Sequence, residues 1–295
     1  MPTFDDVGIR YLTPASIMLF RECPAAWVLR HLFGKQKGGK PAFARSIAMK
    51  DGTKVLAYRG DFDEAVWVAQ QSYARQLERM RIDPGGEGPR SEQDAILPML
   101  RETCKAFLEA GLDELPIAAD LVSSVWLSND LTAPFLSVPH LIYPDVQIQV
   151  RYTHRCPTKI QPRHMMALAV DQRLREQAVG IIYVTTKKNS GLMLPRPGEL
   201  EQAQADMEFD AMALQTFLGS VESREHALAM VPLNPDTYQW TPELLLEARL
   251  IIHNAKDHVD GIIRAKRAGI SEGPSWDAHG NLLSDYRSGD AENDL

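Results

Sequence analysis

A short alternating segment, residues 146–151, contains the first side chains whose types and spacing could do chemistry. Polar and apolar residues alternate strictly there (VQIQVR), which predicts a β-strand with one polar and one apolar face. Gln149 and Arg151 therefore point to the same face. An arginine guanidinium offers a two-pronged fork that fits phosphate or carboxylate. The pair predicts an anion-binding position, with a merely solvated face of a half-exposed sheet as the alternative.

Further basic side chains follow this strand along the sequence. They fall on the connection after it, on the helix predicted next and beyond the following strand: Arg155, Lys159, Arg163, His164, Lys187 and Lys188. A basic stripe of this kind is typical of a surface that follows a nucleic-acid backbone. Because the whole chain has a net charge of −7, such a surface must be a local patch on an acidic protein.

The elements that must position these residues can be predicted from periodicity and from helix-breaking residues. Two short helices divided at Pro24 are expected first, and longer helices over 63–81 and 91–110 follow. The predicted strands are 122–126, 135–141, 146–152, 180–186 and 192–194, and the later helices are 163–176, 199–218, 223–229 and 242–268. This order predicts an α/β fold: a three-strand meander, a crossover helix and a further strand form a small mixed sheet in a helical surround.

Composition sets the broad class of the protein. With 295 residues, 44% of them hydrophobic, the chain has the composition of a globular protein. We expect a single domain over 1–270, helical over 10–115, with its sheet core over 120–195, helical again over 197–270, and a polar tail over 271–295. Three scattered cysteines fit a reducing cytoplasm. Neither a signal peptide nor an apolar run of about 18 residues is present, so no membrane partner is expected.

Four stretches of the sequence carry a resemblance to a known family. They are residues 12–27 (LTPASIMLFRECPAAW), 43–50 (FARSIAMK), 138–157 (VPHLIYPDVQIQVRYTHRCP), and 164–170 with 181–188 (HMMALAV and IIYVTTKK). In order and spacing they resemble the RecB-type exonuclease branch of the PD-(D/E)XK nuclease superfamily, especially its phage versions. The resemblance covers about residues 10–245. It implies a nuclease-like α/β core, DNA as a partner and, in active members, a carboxylate-bound Mg²⁺.

The active-site positions of this family hold other residue types here. Lys50, expected on a loop, stands at the family's histidine, His140 at the aspartate of the PD motif, Gln149 at the acidic residue of the next motif and Arg151 at its lysine. Carboxylates hold Mg²⁺ because the ion prefers oxygen ligands, and the metal activates water. The substitutions reverse the charge and predict an electropositive pocket that takes an anion directly. Arg45 is counted with the phosphate-contacting residues.

Four functions follow from these observations. The first is a catalytically degenerate member of the family that binds DNA, or a recombination or DNA-modification partner protein, in phage DNA metabolism in the bacterial cytoplasm. The second is a group-transfer enzyme acting on modified bases through the electropositive pocket. Neither of these needs a cofactor. The third is an active Mg²⁺- or Mn²⁺-dependent exonuclease with Asp145, and perhaps Asp120 or Asp130, as ligands. The fourth is a pure interaction protein.

Overall fold

The computed structural model describes residues 4–35, 39–112, 114–233 and 240–267, with side chains described only up to residue 254 in the last helix. The chain forms two compact units. The sheet unit comprises residues 38–125 and 137–204, and the helical unit comprises residues 1–37, 126–136 and 205–295. The single domain predicted over 1–270 stays a prediction. The predicted polar tail, 271–295, lies outside the described residues.

The helix predicted over 91–110 is divided in two at residue 95, but most other helices begin and end close to their predicted bounds. Their bounds are α1 Pro14–Glu22, α2 Pro24–His31, α3 Pro41–Arg59, α4 Phe62–Arg79, α5 Glu87–Asp94, α6 Ile96–Glu109, α7 Pro162–Arg175, α8 Glu199–Ser220, α9 Arg224–Met230 and α10 Pro242–Arg267. The division at Pro24 is confirmed, because the Cys23–Pro24 step separates α1 from α2. Helix α3 was not predicted, and it carries Lys50, which was expected on a loop.

The strands are β1 Ala118–Ala119, β2 Ser123–Val125, β3 Phe135–Ser137, β4 Leu141–Ile142, β5 Val146–Tyr152, β6 Ala178–Val184 and β7 Asn189–Met193. Five of them form a mixed sheet in the order β1-β4-β5-β6-β7. Strands β1, β4 and β5 are antiparallel neighbours, β5 and β6 are parallel, and β7 returns antiparallel to β6. Helix α7 connects the parallel pair, so the predicted mixed α/β character and the crossover helix are confirmed.

The predicted meander is wrong in its membership. The expected strand over 135–141 is divided into β3 and β4, and Pro139 lies in the break, where a residue without an N–H cannot continue the ladder. Strand β2 lies outside the five-stranded sheet, and the third antiparallel strand is the two-residue β1. A two-residue strand leaves too short a pattern for periodicity to detect.

One face of β5 packs in an apolar core and the other forms hydrogen bonds. Ile148 and Val150 are fully buried against α3, α4 and α6 in the main apolar core. The alternate residues Gln147, Gln149 and Arg151 lie on the other face, where Gln147 and Gln149 bond to Asp171 of α7. The strict alternation therefore separates an apolar core from a polar layer that is covered by α7.

The helical unit has its own core around Trp27. This side chain is fully buried in α2, and its indole Nε1 donates to Ser16 Oγ in α1 at 2.9 Å. Thr13 caps α1 by accepting from the Ser16 N–H at 3.0 Å, which satisfies an end group of the helix. The unit therefore joins its first two helices through one buried polar contact.

Candidate anion-binding site

A chain of hydrogen bonds, which we call the polar network, crosses the polar layer of the sheet unit. It consists of Ser137, Gln147, Gln149, Arg151 and Asp171. Ser137 Oγ donates to Asp171 Oδ1 at 2.7 Å, and Gln149 Nε2 donates to Asp171 Oδ2 at 2.6 Å. Gln149 Oε1 accepts from Arg151 Nη2 at 2.6 Å, and Gln147 Nε2 donates to the Asp171 carbonyl at 3.1 Å. The network holds the guanidinium of Arg151 in one place.

The Arg151 guanidinium keeps unused hydrogen-bonding capacity. Its Nε is buried without a partner, and the residue as a whole is half-buried. Among the described residues, no carboxylate lies within ion-pair distance of it. Burial lowers the pKa of Arg151, and the charge of Arg163 acts in the same direction. Since a buried donor without a partner is costly, the geometry suits an anion that accepts from this fork.

Asp171 is the acidic member of the polar network, and it was missed by the sequence analysis. It is 2% exposed, and burial raises its pKa to about 6 against the opposing effect of its hydrogen bonds and of Arg151. Both of its carboxylate oxygens accept hydrogen bonds from neutral donors. Its charge therefore reaches Arg151 through Gln149 rather than by direct contact, which leaves the guanidinium open to a ligand. The sequence signal that could have identified Asp171 is an acidic residue directly after the apolar residues of the helix predicted over 163–176.

His164 does not act as the cation that the sequence analysis expected. It is buried, and its Nδ1 lies 2.8 Å from the hydroxyl of Tyr183. Tyr183 also accepts from the Gln161 N–H at 3.0 Å, so its own hydrogen is free to bond Nδ1. Burial, together with the charges of Arg151 and Arg163, lowers the pKa of His164 to about 3. Neutral His164 thus fixes the start of α7 against β6.

Exposed cations surround the edge of the sheet at which the parallel strands β5 and β6 end. We call this set the cationic edge: Arg155, Lys159, Arg163, Lys187 and Lys188. Thr153 N donates to the Val184 carbonyl at 2.9 Å, so the loop after β5 lies against the end of β6. The carboxyl ends of parallel strands are the usual place for ligands in such sheets. Within the described chain, none of these five side chains is paired with a carboxylate.

The turn between β6 and β7 presents two of these cations. Thr185 Oγ1 accepts from the backbone N–H groups of Lys187 and Lys188 at 3.2 and 3.0 Å. The Thr185 N–H also donates to the Lys188 carbonyl at 2.9 Å. Both lysine side chains are exposed. A defined turn thus holds two neighbouring positive charges beside the end of β6.

A second group of polar residues, the lysine cluster, adjoins Arg151. It consists of Lys50 and Lys54 of α3, Asp120 at the end of β1, and His140 just before β4. The Asp120 N–H donates to the His140 carbonyl at 3.3 Å, and His140 Nε2 lies 3.4 Å from the Lys50 carbonyl. Lys54 forms an ion pair with Asp120. Burial lowers the pKa of His140 to about 3, so this imidazole is neutral.

The four residues predicted to line the pocket lie in one region: Lys50, His140, Gln149 and Arg151. Two other candidates, Arg45 and Asp145, lie away from it. Arg45 is 4% exposed and forms an ion pair with Glu92 of α5, so its charge is neutralised in the interior. Asp145 is exposed in the turn before β5, where Tyr143 N donates to the Val146 carbonyl at 2.9 Å. It lies at the opposite end of the strand from Arg151. Because it is buried and paired with Glu92, Arg45 does not fit the expected phosphate contact.

The residues that the resemblance places at a metal site do not fit Mg²⁺. Arg151 is a cation, Lys50 offers a nitrogen rather than an oxygen, and the Gln149 oxygen already accepts from Arg151. The two oxygens of nearby Asp171 accept from Ser137 and Gln149. In the part of the chain that the structure describes, no three His, Cys, Asp or Glu side chains are grouped as metal ligands. A hard divalent cation requires a denser set of free oxygen ligands than this region presents.

Comparison with known proteins adds no relative to this description. Protein-family models, curated proteins and solved structures all gave no match to the chain. Within the described residues, no helix is both long enough and apolar enough to cross a membrane.

Proposed function

We propose that this protein binds DNA through the cationic edge, with Arg151 receiving a backbone phosphate, on a nuclease-like fold whose metal site has been replaced by an anion site. One observation carries the proposal. The half-buried guanidinium of Arg151 has an unpartnered Nε and no ion-paired carboxylate among the described residues, and it lies beside a set of unpaired exposed cations. Phosphate is the anion that such an arrangement recognises along a nucleic acid.

The order of elements in the sheet unit supports the family part of the proposal. Three antiparallel strands (β1, β4 and β5), a crossover helix and a parallel strand follow one another, as the resemblance implies. His140 directly precedes β4, and Gln149 and Arg151 lie side by side on β5. These are the places where the resemblance puts the family's metal ligands and its lysine. Their replacement leaves an arrangement suited to binding rather than to metal-dependent cleavage.

Salt-dependent binding of labelled DNA tests this function. Fluorescence anisotropy of short single- and double-stranded oligonucleotides, in EDTA and over a series of salt concentrations, gives the affinity and its salt slope. We expect the Lys187→Gln/Lys188→Gln variant to lower the slope by up to about two, since each phosphate contact contributes about 0.9. Arg151→Gln should weaken binding further, with thermal unfolding measured to show that the variant is folded.

The matched control removes the same charge elsewhere in the sheet unit. Arg75 and Arg79 are exposed on α4, which packs on α3 and α6. The Arg75→Gln/Arg79→Gln variant should keep the wild-type slope. Absence of salt-dependent binding by the wild type, or an equal loss in this control, contradicts the proposed DNA surface.

A further inference from the structure

The two lysines of α3 in the lysine cluster have opposite environments. Lys54 forms ion pairs with Asp120 and, at 3.4 Å, with Asp51, and these carboxylates raise its pKa. Lys50 lies one helical turn earlier and is half-buried. No carboxylate of the described residues is within ion-pair distance of its amine. The same helix therefore carries one lysine held as an ammonium ion and one that lacks a counter-ion.

Two buried hydrogen-bond acceptors of the lysine cluster have no partner among the described residues. His140 is 3% exposed, and its Nδ1 is buried without a partner, while its Nε2 faces the Lys50 carbonyl. Asp120 Oδ1 is likewise buried without a partner, and only Oδ2 pairs with Lys54. Asp120 also has a left-handed backbone, with φ of 46°, a conformation that aspartate adopts more often than most residues other than glycine. Two buried acceptors without a protein partner at one place are available to the polar groups of a ligand.

The charges around Lys50 favour its neutral amine. Burial lowers the pKa of Lys50, and the positive charge of Arg151 lowers it further, with Lys54 acting in the same direction. Asp120 and Asp51 oppose this effect without reversing it. A lysine that is desolvated and placed beside another cation is activated as a nucleophile.

We propose that Lys50 is a nucleophilic amine that forms an imine with the carbonyl group of a phosphate-bearing aldehyde or ketone. Arg151 would hold the phosphate, so this assignment rests on the anion site of the proposed function. The amine lone pair attacks the carbonyl carbon and forms a C–N bond, giving a carbinolamine. The Asp120 carboxylate accepts the proton that the nitrogen releases and returns it to the departing hydroxyl. One water leaves as the C=N bond forms, so no oxidant or reductant is required.

Two sources can supply this ligand chemistry. An abasic site in DNA carries an aldehyde between two phosphates, and a small phosphorylated aldehyde carries both groups in one molecule. The probes are therefore an oligonucleotide with one abasic site and glyceraldehyde 3-phosphate, each incubated with the full chain and reduced with cyanoborohydride. Reduction converts an imine into a stable secondary amine, which peptide mass spectrometry locates. An oligonucleotide with a tetrahydrofuran site, which lacks the aldehyde, is the probe control.

We expect the adduct at Lys50 for at least one of the two aldehyde probes. Lys50→Arg should reduce it at least about tenfold, because a guanidinium keeps its proton and charge. Lys105→Arg, which changes an exposed lysine of α6 outside the lysine cluster, is the matched control in the sheet unit and should retain the adduct. An adduct spread over exposed lysines such as Lys187 and Lys188, unchanged by Lys50→Arg, overturns the assignment, as does the absence of any adduct.

The experiment separates this inference from the proposed function when binding of aldehyde-free DNA is measured on the same samples. DNA binding without an adduct at Lys50 contradicts the proposed nucleophile and supports the proposed DNA surface. If the protein forms an adduct with glyceraldehyde 3-phosphate but does not bind DNA, the result supports the proposed nucleophile and contradicts the proposed DNA surface. Thermal unfolding of Lys50→Arg, compared with that of Lys105→Arg, shows whether a lost adduct merely reflects a lost fold.

Discussion

At the scale of single residues, the position of Arg151 depends on a neutral amide placed between two charges. Gln149 donates to Asp171 and accepts from Arg151, which only a side chain with both a donor and an acceptor can do. An acidic residue at position 149, as the family resemblance implies, would meet the Asp171 carboxylate instead. Glutamine thus permits a buried carboxylate and an available guanidinium to lie on the same face of the sheet.

The raised pKa of Asp171 predicts a pH-dependent stability. Burial raises this pKa to about 6, so between about pH 4 and pH 6 the folded protein binds more protons than the unfolded chain. The contribution of Asp171 to the free energy of unfolding therefore falls as pH rises through this window and is constant above it. A pKa raised from 3.8 to about 6 changes this contribution by roughly 3 kcal/mol at most. Chemical denaturation of the wild type and of Asp171→Asn from pH 4 to pH 7 measures the difference.

The expected result has a definite sign. Asp171→Asn should gain stability relative to the wild type as the pH rises from 4 to 6. Asp145→Asn, which removes one exposed carboxylate from the turn before β5, controls for the change in net charge. A constant difference between Asp171→Asn and the wild type across this range contradicts the role given to burial at Asp171.

At the scale of elements, the close approach of α3 to α4 fixes the lysine cluster. Gly52 lies between Lys50 and Lys54, and a Cβ at this position would be 2.8 Å from the Ala65 carbonyl oxygen and 2.9 Å from Ala69 Cβ. Real side chains do not tolerate such distances, so only glycine allows the two helices to pack this closely. The placement of Lys50 is therefore set by a residue that does no chemistry itself.

Gly52→Ala is expected to destabilise the protein by about 1–3 kcal/mol, because the added methyl group must push α4 away from α3. Urea denaturation measures this change. Ala69→Gly removes one of the two close contacts and costs about 1 kcal/mol alone, through the flexibility of glycine in a helix. The double variant should lose less stability than the two single variants added together. A Gly52→Ala protein as stable as the wild type is inconsistent with this packing.

Elements with clean periodicity could be predicted, and the others could not. Strand β5 was predicted from its strict alternation, and the start of α7 from Pro162. Helix α3 gave no such pattern, because its buried residues include Arg45 and Thr53 as well as Ala48 and Met49. It contacts neighbours on several sides, so its sequence has no single polar face. The site was predictable where it lies on β5 and unpredictable where it depends on α3 or on Asp171 of α7.

At the scale of the whole molecule, the charge of the chain is unevenly distributed. The protein has a net charge of −7, yet the cationic edge of the sheet unit gathers five exposed cations that form no ion pairs among the described residues. Local positive charge on an acidic protein favours an oriented approach to a polyanion while limiting non-specific binding by the remaining surface. Five of the cations predicted from the sequence to contact phosphate are exposed at this edge, whereas His164 is buried and neutral and Arg45 is paired with Glu92.

The most direct test of the central claim is the release of label from end-labelled linear DNA, single- and double-stranded, in Mn²⁺ with the protein in excess. Anisotropy on the same samples reports whether the DNA is bound. We expect bound DNA without release of label, because the positions that the resemblance assigns to a metal site carry Lys50, His140, Gln149 and Arg151. Release of label that disappears in Asp145→Ala or Asp120→Ala would contradict this expectation and show an active metal-dependent nuclease.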